Sequence, residues 1–451
     1  MKVAIVGAGW AGLAAALHLR AQGIQVTVFE ASKVPGGRAR RVDDSRLGAI
    51  DNGQHIFLGA YRETLKLIQD TCGAVHLRAG FKRLPLWLKS ADGQFEIRAS
   101  TCLPANLQGM VALWRAKGLS AIDKLAITRL LLSLKTGHKR AIPNQSVHQW
   151  LLSQGQSPRA MHWLWRPLCI ATMNSPPHEA CALLFRTVLR DSLLNTAAGA
   201  TDLLLPRMDL SKLWPEAAAA SVDCQFGHTV RAVRPLEDHV MLDDQRFDAC
   251  ILATPPYSIM KLLGSALTDS PLLTQLKAFD YRAITTCYVK LDQSIRLPAP
   301  MLLLQDDASG LRPGQWVFDR QAISNQHGAN PAQLAAQLAF VISDSSSDFY
   351  IDSFDLAKRL VQQLSWELGQ DIPAKILHAK CIQEKRATFA AVPGLERPEN
   401  VTTWPRLSVA GDWTNTGYPA VLEGAVRSGI QAATTLAAYL KGTALTKGND
   451  R

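Results

Sequence analysis

Glycines at 7, 9 and 12 stand directly after the apolar run Val3 to Val6 and open a helical pattern that continues from Leu13 to Gln22. That spacing fits one task. Gly7 permits a tight turn, Gly9 keeps a Cβ away from a pyrophosphate, Ala11 adds only a methyl group, and Gly12 lets helix and strand pack closely. Phosphate oxygens then sit over the free N–H groups of the helix N-terminus, where the positive end of the dipole favours anions. A second strand, Gln25 to Phe29, ends in Glu30. At about twenty residues past the glycines, this carboxylate suits ribose hydroxyls and repels a 2′-phosphate. The unit reads as a dinucleotide site from which NADP is excluded.

Further stretches point to the same cofactor. Gly36-Gly37-Arg38 begins six residues after Glu30, so backbone can pass close to the phosphates while Arg38 reaches toward them. The string Ile50-Asp-Asn-Gly-Gln-His-Ile-Phe-Leu-Gly59 sets polar side chains and glycine between apolar residues, as a segment beside a planar ligand would. Gly411-Asp412 caps a late strand, and glycines 424 and 429 are expected to open a last helix whose N–H groups face the electron-rich edge of the ligand ring. Candidate proton-transfer groups are Asp51, His55, Asp319, Glu384 and Tyr418. Each also has an ordinary role as an ion pair, a cap or a packed ring. Closeness to the ring favours Asp51 and His55.

The elements that position these groups follow from periodicity. Helical patterns cover 61–72, 107–115, 121–134, 146–153, 158–173 and 178–194, and strands return at 224–235 and 247–253, the latter cut off by Pro255-Pro256. Alternating runs at 284–291, 301–304 and 338–342 suggest a second sheet, followed by a helix at 353–368 and a strand at 376–382. The apolar strand 407–410 should join the first sheet. The fold class is therefore α/β: a discontinuous Rossmann-like nucleotide domain from 1–75, 200–255 and 385–445, and a mixed-sheet and helical substrate domain with a helical lid from 76–199 and 256–384.

Composition excludes several classes. With 451 residues, 47% hydrophobic and 19% charged, the chain has the material for large cores. Its eight cysteines are scattered, with no pair at metal spacing, so reduced thiols and no metal are expected. The first strand begins at Lys2, and no uncharged apolar run of about 18 residues appears, which points to the cytoplasm. The net charge of +11 is dispersed and lacks a nucleic-acid-binding signature, so no nucleic acid partner is expected. A mixture of Trp114, leucines and Lys/Arg over 107–135 resembles interfacial helices, which leaves peripheral contact with the inner face of a membrane open. Trp150, Trp163 and Trp165 suit either a lid over a greasy tunnel or a plain helical core.

The glycine turn with Glu30, the Gly36-Gly37-Arg38 turn, and Gly411-Asp412 with Glu423-Gly424-Ala425 resemble the flavin-containing amine oxidase and phytoene desaturase superfamily. Within it, DNGQHIFLGAYRETL, WVFDR at 316–320 and AGDWTNTGYPAVLEGAVRSG are similar to the hydroxysqualene dehydroxylases, also called squalene-associated FAD-dependent desaturases. The resemblance implies noncovalent FAD lying extended across the sheet. Gly7, Gly9 and Gly12 would line the pyrophosphate, with Gly37 and Arg38 at the phosphates, Glu30 at the ribose and Asp412 at the ribityl end. Gly411 would lie beside Asp412, Val230 would meet the adenine through its backbone, and Gly53, Gln54, Val421 and Leu422 would lie by the ring. It further implies a long apolar isoprenoid substrate and reductive dehydroxylation in squalene and hopanoid biosynthesis. No second glycine fingerprint appears, so the electron donor would be external. The alternatives are a carotenoid or phytoene-type desaturase, a flavin amine oxidase, or a flavin-binding protein without turnover.

Overall fold

Val3, Ala4 and Ile5 are buried on both faces, as a strand at the centre of a parallel sheet requires. In the computed structural model, which describes all residues except 101, 103–104, 137–143, 196, 198, 269, 294, 308, 325–336, 346–351 and 450–451, this strand (Lys2–Val6) anchors a five-stranded sheet. Gln25–Glu30 pairs parallel on one side, with Asp223–Phe226 beyond it. Ala249–Leu252 pairs parallel on the other, followed by Leu407–Val409. Chain segments hundreds of residues apart in sequence thus share one sheet. All its binding ends point the same way.

Two long helices cover one face. Trp10–Ala21 follows the first turn, and Leu422–Asn449 packs along it. The approach is backbone to backbone, since a Cβ on Gly429 would stand 2.1 Å from the Ala11 carbonyl oxygen. Gly429 therefore lies two turns into the helix as a packing contact and does not open it. The helix starts at Leu422, and its first turn is fixed by Glu423, whose buried carboxylate accepts Thr64 N–H, Thr64 Oγ and Glu63 N–H and pairs with Arg427.

The second sheet is antiparallel in the order Met301–Leu303, Trp316–Asp319, Gln337–Ser345, Tyr281–Leu291, Ile376–Phe389. Its last strand extends well past residue 382. A helical layer that includes Ala105–Arg115, Ala121–Thr136, Val147–Ser153, Arg166–Met173 and Ala182–Leu193 packs nearby. The helical pattern at 178–194 starts only at Ala182, because residues 176–181 turn after Pro176-Pro177 and Cys181 N–H bonds Ala391 O at 2.7 Å. The stretch 224–235 is not one strand. Gly227, at φ +67°, turns the chain out, and Gly227 and His228 N–H bond the carbonyls of Ser32 and Glu30 before Val233–Pro235 begins.

Gly429→Ala should force the two long helices apart and cost about 1–3 kcal/mol, the usual range for overpacking. The check is the denaturant midpoint; an unchanged value would mean the helices shift freely at this contact.

Candidate active site

A cavity of about 540 Å³ runs from Glu30 at one end of the parallel sheet to the face of the antiparallel sheet. The glycine turn forms its floor. Gly7 has φ +107°, and a Cβ there would stand 2.7 Å from Ala253 O. Gly9 and Gly37 bring two backbones together, since a Cβ on Gly37 would lie 3.3 Å from Gly9 Cα. Ala11 lines the same wall. Gly12 is absent from the lining: a Cβ would meet Gly7 O at 1.9 Å, so its role is helix-to-strand packing alone.

Glu30 lies at the cavity end with both oxygens engaged. Oε2 accepts Ala8 N–H at 2.7 Å and Oε1 accepts Ser32 N–H at 2.8 Å. Each oxygen keeps one further acceptor site for a ribose hydroxyl. Val230 is buried on the loop after Gly227, just before Arg231 and Ala232, whose N–H groups are held by Asp243 Oδ1.

Arg38 occupies the middle. Its Nη2 donates to Asp412 Oδ1 at 2.6 Å and its Nη1 to Ala387 O at 2.7 Å. Burial alone would lower the guanidinium's pKa, but the Asp412 carboxylate turns the shift upward, so the charge is fixed. Gly411 is demanded by its neighbour: a Cβ would stand 2.2 Å from Trp413 Nε1, which donates to Thr254 O at 3.1 Å. Thr254 also lines this wall, and its Oγ1 is buried without a protein partner.

At the far end Gly53, Gln54, His55, Val421 and Leu422 meet an apolar chamber walled by Ile56, Ile170, Ile284, Trp316, Phe318 and Val341. Trp316 and Phe318 alternate on one strand, so both face the chamber while Asp319 turns away to cap Ala322 N–H at 2.8 Å. Gln54 is oriented at both ends of its amide, by Arg320 Nη1 at 3.4 Å and by the His55 carbonyl at 3.2 Å.

The proton-transfer candidates separate clearly. Asp51 does not line the cavity: its Oδ1 accepts Leu210 N–H at 2.7 Å and it is 4% exposed. Burial raises its pKa from 3.8 to about 7, with the Leu210 N–H and Arg320 opposing. It is a structural cap, corrected from a candidate acid. His55 does line the cavity, with Nδ1 2.7 Å from Gly53 O. A carbonyl only accepts, so Nδ1 carries the proton. Burial, aided by the Arg38 charge and partly offset by the Gly53 carbonyl, lowers the ring's pKa. The imidazole is then neutral, and Nε2 is an acceptor. Glu384 lies on the wall and accepts Asn52 Nδ2–H at 3.1 Å, whereas Tyr418 leaves the main cavity to donate to Asp191. Trp413 and Tyr418 are thus both engaged by protein groups. Trp150 and Trp165 belong to the helical core.

Sequence reasoning missed Trp10, Tyr61, Asn174, Tyr257 and Thr388 on the lining. Tyr257 carried a signal, following directly on Thr254-Pro-Pro. Trp10 sits within the glycine turn itself and Tyr61 just past the 50–59 string, whereas Asn174 and Thr388 sit on elements that only folding brings to the cleft.

Residues 10–437 match the model of the flavin containing amine oxidoreductases. The chain belongs to this family. Like other flavin containing amine oxidoreductases it is an FAD-dependent oxidoreductase. It is 30% identical to a protein named hydroxysqualene dehydroxylase from Rhodopseudomonas palustris, over 96% of this chain and 97% of that one. A protein of the same name from Zymomonas mobilis is 27% identical over 95% and 97%. Among solved structures, putrescine oxidase bound to putrescine superposes with a TM-score of 0.68 at 17% identity, over 97% of this chain and 99% of that one, a likeness of fold. The close-backbone glycines, the unfilled Thr254 hydroxyl and the paired Arg38 all fit this family's cofactor. Among the described residues no group of side chains is arranged to hold a metal, and no helix is long and apolar enough to cross a membrane.

Two outcomes follow. Asp412→Asn should weaken FAD retention about tenfold, the size of one charge-assisted hydrogen bond, read by fluorescence titration of the stripped protein. Asp51, with a native pKa near 7 against 3.8, favours folding fully below about 3.8 and loses that advantage as pH rises through about 7. The stability of the wild type relative to Asp51→Asn should therefore fall across that window and level off above it; parallel pH profiles would refute the burial.

Proposed function

We propose that the chain converts hydroxysqualene to squalene with loss of water, in squalene and hopanoid biosynthesis, using noncovalent FAD reduced by a separate electron donor in the cytoplasm. In this reading 1–75, 200–255 and 385–445 hold the cofactor and the rest holds the substrate. The observation that carries it is the apolar chamber beside His55, in a chain that spans nearly the whole length of the hydroxysqualene dehydroxylases it resembles. Bound reduced FAD supplies the hydride.

The chain's own residues do the rest. Glu30 takes the adenosine ribose, Gly7, Gly9 and Gly37 admit the diphosphate, Arg38 and Asp412 hold the phosphate and ribityl region, and Gly53, Gln54, Val421 and Leu422 border the ring. Ile170, Ile284, Trp316, Phe318 and Val341 exclude water from the carbon that loses its hydroxyl and becomes cation-like. Neutral His55 accepts at Nε2 and orients the substrate hydroxyl. The phenol of Tyr61, kept protonated because burial raises its pKa, lines the same cavity and donates toward the leaving oxygen. None of the eight cysteines lines the cavity, which supports a dissociable flavin.

Anaerobic incubation of the photoreduced holoprotein with hydroxysqualene should restore oxidised-flavin absorbance and yield squalene by mass spectrometry. Bleaching of oxidised flavin by a polyene would instead favour a desaturase; a protein named probable zeta-carotene desaturase from Synechococcus elongatus is 22% identical over 96% of this chain. His55→Leu should cut kcat about a hundredfold at unchanged flavin content; full turnover would remove His55 from the reaction.

A further inference from the structure

Helices Ala105–Arg115 and Ala121–Thr136 form an antiparallel hairpin, registered by Lys124 Nζ on Trp114 O at 3.0 Å and Thr128 Oγ1 on Met110 Sδ at 3.7 Å. Their inner sides bury Ala112, Leu113, Ile127, Leu130 and Leu134. The outer side is also apolar. Leu107, Trp114, Ile122 and Leu125 are exposed, and Ile122, at 79%, is the most exposed large apolar side chain among the described residues. With Leu132 on the same helix as Ile122, five such groups on one supersecondary unit are not the scattered exposure of an ordinary surface.

Within the hairpin's own sequence the exposed charges have one sign, and the nearest acids beyond it, Asp92 and Glu96, lie on the strand pair beside Lys117 at the turn. Arg115, Lys117, Arg129 and Lys135 are exposed on the hairpin or its turn, while Asp123, the lone acid between 105 and 136, is buried and held by Ser120 and Ser157. An apolar stripe framed by cations, its acid withdrawn, is complementary to an anionic lipid surface. The second helix packs on Ala182–Leu193, which packs on Arg166–Met173, the helix that gives Ile170, Ala171 and Thr172 to the cavity wall. We propose that this hairpin is the face by which the protein docks on the surface of an anionic bilayer, with Ile122, Leu125 and Trp114 entering the headgroup and acyl boundary. The active-site chamber then stands one helical layer from the lipid. The docking stands whichever apolar substrate the chamber takes.

The test is co-sedimentation of the FAD-loaded full chain with vesicles containing phosphatidylglycerol. Binding should be strong at low salt and weaken when phosphatidylcholine replaces the anionic lipid. Ile122→Glu with Leu125→Glu should lower the partition coefficient about tenfold or more, with flavin spectrum intact and turnover of detergent-dispersed substrate unchanged. Val75→Glu, equally exposed elsewhere, should bind as the wild type. Quenching of tryptophan fluorescence by brominated acyl chains should drop in Trp114→Phe. A wild type that ignores anionic vesicles, or a double variant that binds as well as the wild type, would overturn the proposal and point to a protein partner for this face.

Discussion

The Arg38 guanidinium ties together three parts of the chain that sequence keeps far apart. It donates to the Asp412 carboxylate of the C-terminal loop and to the Ala387 carbonyl at the end of the antiparallel sheet, while its own turn rests on Gly9. A guanidinium half withdrawn from water needs such partners, because an uncompensated buried charge is costly. Its pairing joins the N-terminal turn, the C-terminal loop and the end of the antiparallel sheet at the middle of the cleft.

From this fixed centre the cleft changes character along its length. At the Glu30 end the walls are glycine backbone and paired charge, suited to phosphate and sugar. At the other end they are Ile, Val, Phe and Trp, suited to hydrocarbon. The same dryness that makes the chamber greasy also tunes its one imidazole: burial keeps His55 neutral, and the Gly53 carbonyl decides which nitrogen accepts. A charged imidazole there would bring water with it. Packing and protonation state are thus one design feature.

Periodicity and motif made much of this legible. The strand, glycine turn, helix and acid of residues 2–30 are local, and local chemistry dictates them: glycine tolerates the φ of Gly7, and the Glu30 carboxylate at the strand end reaches back to the Ala8 amide. The strings at 36–38, 53–55 and 411–412 likewise announced residues that line the cavity. Asp51 was misread because nothing in its neighbours reveals direction. Asp51 sits on a strand where alternate residues face opposite ways, and its neighbour Asn52 faces the cleft instead. Gly429 looked like a helix opening and is a contact between helices, which depends on Ala11 being opposite.

The sequence by itself determined the glycine turn with its acid, and that the chain's two ends carry motifs of one flavin-binding family, because these rest on backbone conformation and steric room near each residue. It also determined the hairpin's net positive charge. Only the tertiary structure decided which polar side chains reach the chamber, that His55 accepts and Asp51 caps, and that Asn174 and Thr388 share its walls. Those outcomes depend on burial and on partners supplied from distant segments, and neither burial nor a distant partner is a property of a residue's neighbours in sequence.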